Sequence, residues 1–147
     1  MYFRVFGLTA EPPDLAALLE HLHARGLPAT AHFRGDDLGW TGGELVFGDA
    51  TVTIERYLTK EDDLRDDLNT WAGWLETRAH EPRHAELMQH VIGTKQLITL
   101  RPPPGGAADP LCDETCRWLA AHTNGVCQVD GRGFVATDGT LVLADES

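Results

Sequence analysis

The order of local signals repeats along this chain, and the repeat limits its fold more than any single motif. A short apolar run comes first, FRVF at 3–6 and QLITL at 96–100. Each is followed by an amphipathic helix pattern that closes on His-x-x-Gly, His23 to Gly26 and then His122 to Gly125. Strand signals come next. Each half contains one version of the same phrase, GELVFGD at 43–49 and GTLVLAD at 139–145. The four identities in seven residues are within reach of chance at average residue usage, so the frame around the phrase carries the inference. Helices and short strands joined by tight turns imply an α+β domain, mainly an antiparallel sheet with helices packed on it. The expected plan is a single domain over 1–147 built from two β-α-β-β halves, 1–58 and 94–145, with a helical connector at 59–93.

Local detail supports the plan. Residues 2–8 read as a strand, and Pro12 and Pro13 suit the opening of a helix. Leu15, Leu18, Leu19 and Leu22 give that helix an apolar stripe, and Gly26 suits its C′ position. Residues 29–33 read as a second strand, and RGDDLGWTGG at 34–43 as a loop. A hairpin follows: 44–47, a turn at Gly48-Asp49, then 51–58, where Val52 and Ile54 alternate with Thr51 and Thr53. Thr59 and Asp62 resemble a capping box before a helix with Leu64, Leu68, Trp71 and Leu75 on one face. Pro82 opens another helix, which buries Leu87, Met88, Val91 and Ile92 and stops at Gly93. A strand at 96–100, a helix begun by Asp109-Pro110, and a meander at 126–129, 134–137 and 141–143 complete the chain. The Asp-Gly pairs at 130–131 and 138–139 are hairpin turn signals.

A strand–helix–strand–strand plan used twice resembles the paired-module folds of glyoxalase/bleomycin-resistance proteins in its order of elements. That family's metal-binding His and Glu, on inward-facing first strands, have no counterpart in YFRVF or QLITL. The resemblance therefore implies an architecture and no metal chemistry.

Charge excludes some partners. With 12 basic and 23 acidic residues the formal charge is −11. Nucleic-acid binding rests on Lys and Arg neutralising phosphates, so no nucleic-acid partner is expected. Anionic membrane surfaces are disfavoured for the same reason, and no apolar run approaches the ~20 residues that span a bilayer. A basic protein partner is compatible with this field. The N-terminus lacks a signal-peptide pattern, and three cysteines cannot all pair within one chain, so the expected setting is the cytoplasm with reduced thiols. Ten of the 12 basic residues are arginine, which with abundant Ala, Gly and Asp looks like GC-rich bacterial coding.

Motifs with chemical content are few. HEPRH at 80–84 matches the letters of the zincin motif, in which two histidines one helical turn apart bind zinc. Pro82 disfavours helical backbone at Glu81, so a solvated turn is the better reading. Cys112 and Cys116 stand one helical turn apart, with His122 and Cys127 following. These four are the candidate metal ligands, or a thiol-dependent centre of an enzyme or sensor. The alternative is that the cysteines are small core residues. GRGFVA at 131–136 satisfies the letters of a dinucleotide fingerprint but lies between strands, not before a helix. Arg34-Gly35-Asp36 reads as turn chemistry, and His23 and His122 as helix-end residues. The only serine is Ser147, there is no GK[ST] loop, and neither Lys60 nor Lys95 has a Schiff-base signature.

The leading expectation is thus a non-enzymatic protein that needs no cofactor and acts through protein–protein binding. Trp74, off the centre of its helix's apolar stripe, is the candidate anchor, because Trp is enriched in interface hot spots. Asp63, Asp66 and Asp67, at the start of the same helix, are the candidate acidic contacts for a basic partner. Binding of a small ligand between the two halves is a further alternative, and it requires a pocket lined from both.

Overall fold

In the central strands, residues of alternating parity bury themselves on opposite sides of the sheet, and both sides are apolar. In β1 (Phe3–Gly7), Phe3 and Val5 join one core cluster while Phe6 joins another. β5 (Gln96–Arg101) does the same with Ile98 and Leu100 against Leu97. A sheet buried on both faces needs cover on both. α1 (Leu15–Ala24) and α4 (Asp109–His122) cover the first face, through Leu18, Leu22, Leu111, Cys116 and Leu119. α2 (Arg65–Glu76) and α3 (Pro82–Ile92) cover the second, through Leu68, Leu75, Leu87 and Val91. The computed structural model describes residues 1–78 and 82–144.

The remaining strands are β2 (Thr30–Asp36), β3 (Gly39–Phe47), β4 (Ala50–Leu58), β6 (Val126–Val129), β7 (Gly133–Val135) and β8 (Leu141–Ala144). All eight form one antiparallel sheet in the order β2-β3-β4-β5-β1-β6-β7-β8. The architecture is α+β, as the sequence implies. The halves interlock at the centre: β1 lies between β5 and β6, and β5 between β4 and β1.

The order of elements repeats, but the strand order does not. Reading outward from the centre, the first half runs β4, β3, β2 and the second runs β6, β7, β8. The doubled phrase consequently falls on unlike strands, the interior β3 and the edge β8. Its last residue, Asp145, lies outside the described residues.

Three local expectations need correction, the shortest being Ile92, which α3 leaves exposed at its C-terminal end rather than burying. Residues 34–43 are not a loop. β2 and β3 continue into a tight hairpin in which Asp36 pairs with Gly39, with a bulge at Arg34/Gly35. The glycines serve close approach: a Cβ on Gly35 would lie 2.5 Å from the Gly39 carbonyl oxygen, and one on Gly43 would collide with the His32 carbonyl. The Thr59–Asp62 capping box is also not made. Thr59 donates its hydroxyl to the Thr94 carbonyl, Asp62 accepts the Leu58 amide, and Leu64 stands at the N-cap of α2 without a side-chain bond. At α1 the prolines precede the helix, and Asp14 caps the amides of Ala16 and Ala17.

One buried cation locks the hairpin tip. Arg56 shares the inward face of β4 with Val52 and Ile54 and is 4% exposed. It donates Nε to Gln96 Oε1 at 2.7 Å, Nη1 to the Trp40 and Leu38 carbonyls, and Nη2 to the Ala10 carbonyl. Gln96 extends the network by donating Nε2 to the carbonyls of Thr9 and Glu11. Trp40 adds a bond from Nε1 to the Pro13 carbonyl at 3.0 Å. Residues 9–13 and the β2–β3 turn are thereby tied to the sheet.

Candidate functional site

The apolar stripe of α2 rests on the second sheet face, and its rim opens into a cleft of about 390 Å³. Thr70, Trp71 and Trp74 form one wall, with Gln128 and Asp130 opposite. The two indoles are half-buried and belong to an aromatic box with Phe6 and Phe134. Trp74 stacks on Phe134 at 6.3 Å, and Trp71 meets Phe134 edge-on at 5.8 Å. The Arg78 guanidinium lies 4.5 Å over the Trp74 ring. Trp74 is therefore held by ring contacts and presents an edge to the cleft. The box suits an anchor site, since aromatic side chains offer large contact area at low cost in rotamer entropy.

The floor comes from two neighbouring strands, β1 and β6, and the residue just after β6. Arg4 of β1 shares the face of Phe6 and pairs in register with Gln128 of β6. Its Nη1 donates to Gln128 Oε1 and to Asp130 Oδ1, each at 2.6 Å. Gln128 Nε2 also donates to Asp130 Oδ1, and the Tyr2 amide donates to Asp130 Oδ2. The Arg4 guanidinium lies 5.0 Å from the Tyr2 ring centre and 5.3 Å from that of Trp71. Burial pushes the Asp130 carboxyl up, but its bonds from Arg4, Tyr2 and Gln128 outweigh this and hold it below its ordinary value. An ionised carboxylate saturated by donors is a poor proton carrier and a firm structural base. Further along the same face, Tyr57 donates its hydroxyl to Glu55. That bond, then burial, push the phenol up to about 12.

The acidic candidates lie at the start of the helix that walls this cleft, and none of them lines it. Asp63, Asp66 and Asp67 are exposed, and Asp66 and Asp67 occupy the first turn of α2. Helical spacing sets Asp67 one turn before Trp71 and Asp66 one turn before Thr70, whose hydroxyl donates to the Asp66 carbonyl. Asp63 stands just before the Leu64 N-cap, with φ of 53°.

The structure brings the cysteines together and leaves the histidine out. Cys112, Cys116 and Cys127 are buried in the core cluster between α4, α1 and the sheet. Cys116 and Cys127 line a cavity of about 230 Å³ with Asp113, Arg117 and Arg132. Burial, then the neighbouring Cys127 thiol, push the Cys116 thiol far up. Burial, with Asp109 and Asp113, pushes Cys112 up to about 12. Both are held as neutral thiols, whereas nucleophiles and metal ligands act as thiolates. His122 is exposed, stacks on Trp118 at 3.8 Å, and donates Nδ1–H to the Trp118 carbonyl. Among the described residues no three His, Cys, Asp or Glu side chains are grouped to hold a metal ion.

The other motifs are placed as follows. His80 and Glu81 of HEPRH lie outside the described residues. His84, in the first turn of α3, donates Nδ1–H to the Arg78 carbonyl at 2.8 Å. His23 is exposed at the end of α1. Its neighbour His21 contacts Glu114 of α4 at 2.8 Å, and Arg25 and Arg117 also reach that carboxylate. Sequence reasoning missed this Glu114 hub, and it missed Arg4, Gln128 and Asp130. A charged residue inside the apolar run FRVF was the available signal for Arg4.

No helix among the described residues is long and apolar enough to cross a membrane. No family model matches this chain, and neither a curated protein nor a solved structure matches it, so the likeness to paired-module folds rests on element order alone.

Proposed function

We propose that this chain acts by binding another protein, and that a side chain of the partner seats in the cleft between α2 and β6. The observation that carries this reading is the Trp71–Trp74 wall over the preformed Arg4–Gln128–Asp130 floor. The wall supplies apolar contact, and the floor is already ordered, so little entropy is spent on arranging it. Exposed Asp63, Asp66 and Asp67 add negative charge at the start of the helix that walls the cleft, and the chain as a whole carries −11. A basic segment with one apolar anchor fits both features. The polar groups of the floor are bonded to one another, which favours recognition over catalysis.

The test is affinity capture from a native bacterial lysate at low salt, with wild type and Thr70→Arg side by side. Thr70 is exposed on the cleft rim. Arginine is well tolerated on a helix surface, and here it fills the cleft and opposes a basic partner. The expected result is a protein retained by the wild type and lost with Thr70→Arg at unchanged melting temperature. Retention of the same protein by both, or recovery of none, counts against the reading.

A further inference from the structure

The chain has only two lysines, Lys60 and Lys95, and both line one cavity together with Arg65. This cavity, about 600 Å³, shares no lining residue with the tryptophan cleft. It sits where β4 ends and β5 begins. The Thr59 amide donates to the Lys95 carbonyl at 3.0 Å, and the Lys95 amide donates to the Gly7 carbonyl at 2.7 Å, so the backbone that carries the lysines is fixed. Its apolar wall is Ala10, Leu38 and Leu58. Leu38 is 49% exposed, among the most exposed large apolar side chains described. Exposed Ile92 is adjacent, since Arg65 Nη1 donates to its carbonyl. Ala10 and Leu38 come from the first half and Lys95 from the second, so the cavity is lined from both.

The charge is out of keeping with the rest of the molecule. With 23 acidic residues available, none of the three cations forms an ion pair among the described residues. Glu61 is the one carboxylate among the lining side chains, and the neighbouring Asp62 is turned to the Leu58 amide at 2.7 Å. Three like charges around one concavity repel each other, and a bound anion relieves that repulsion. A volume of this size with an apolar wall and a few convergent polar groups has the make-up of a small-molecule site.

We infer that this cavity binds a small amphiphilic anion, with a carboxylate or phosphate head among Lys60, Arg65 and Lys95 and a short apolar body against Ala10, Leu38 and Leu58. The inference is independent of the partner cleft and survives its failure.

Isothermal titration calorimetry tests it with four probes of one chain length: octanoate, octyl phosphate, octanol and octyltrimethylammonium. The expected result is saturable binding of at least one anion, and the tighter of the two identifies the head group. Loss of a charge-assisted contact should weaken that binding about tenfold or more in Lys60→Met/Lys95→Met. Leu38→Asp, which puts a carboxylate in the wall, should weaken it as well. Absence of saturable anion binding, equal binding of the ammonium probe, or unchanged anion affinity in a folded lysine variant would each overturn the inference.

Discussion

Replacing Arg56 by methionine isolates the contribution of one buried cation. Methionine keeps a flexible stem of similar length and removes the four hydrogen bonds that the guanidinium makes. Two of the abandoned acceptors, Gln96 Oε1 and the Trp40 carbonyl, lie in buried contacts, while the Leu38 and Ala10 carbonyls are part-buried and can turn to water. Each buried acceptor left without a donor costs about 1–3 kcal/mol. Against this, the variant no longer desolvates a charge. Burial already lowers the Arg56 pKa, although Asp36 and Asp62 raise it, so that saving is real. The net expectation is a loss of roughly 3 kcal/mol, or about 6–12 °C in Tm for a chain of this size. Urea unfolding at neutral pH measures it. The double variant with Gln96→Leu should be less destabilised than the sum of the singles, because it removes the orphaned acceptor along with its donor. An Arg56→Met variant within about 1 kcal/mol of wild type would refute the view that these bonds secure the hairpin tip. Because Arg56 also holds the carbonyls of Ala10 and Leu38, the same variant should loosen the anion cavity without touching its cations.

Two further outcomes follow from the titration and burial of side chains. At Glu114 burial raises the pKa, but the bond from His21 and the charges of Arg117, Arg25 and His21 outweigh it and hold the carboxyl low. Its stabilising contribution is therefore present above the unfolded carboxyl pKa and is lost as pH falls through the depressed folded value. Glu114→Gln should flatten the acid limb of stability against pH measured by urea unfolding, and an unchanged limb would show that the hub contributes nothing. The three buried thiols should resist a thiol-disulfide indicator in the native protein at neutral pH and titrate as three on unfolding. Prompt native reaction would contradict their enclosure.

Local patterns are readable where chemistry and geometry share one short stretch. The stripe at Leu15, Leu18, Leu19 and Leu22 and the Asp-Gly turns are of that kind. Residues 34–43 mislead because glycine marks both turns and close backbone approach, and only the partner strand decides between them. The sheet order is not legible, since β1 finds both its neighbours in the second half. The sites divide the same way. Trp74 and its acidic turn stand out on one helix, whereas Arg4 meets Gln128 across a separation of 124 residues. Lys60 and Lys95 carry no signature singly, and only the fold sets them around one cavity.

The interlocked centre has a consequence for the order of synthesis. A chain leaving the ribosome makes β1 well before β5 and β6, the two strands with which it pairs. The β2-β3-β4 meander can close as soon as it emerges, while Phe3, Val5 and Phe6 wait for a first partner strand until β5 is made and for the second until residue 129 has been added. β1 is thus translated before the meander but placed after it, and its apolar side chains need shelter in the interval.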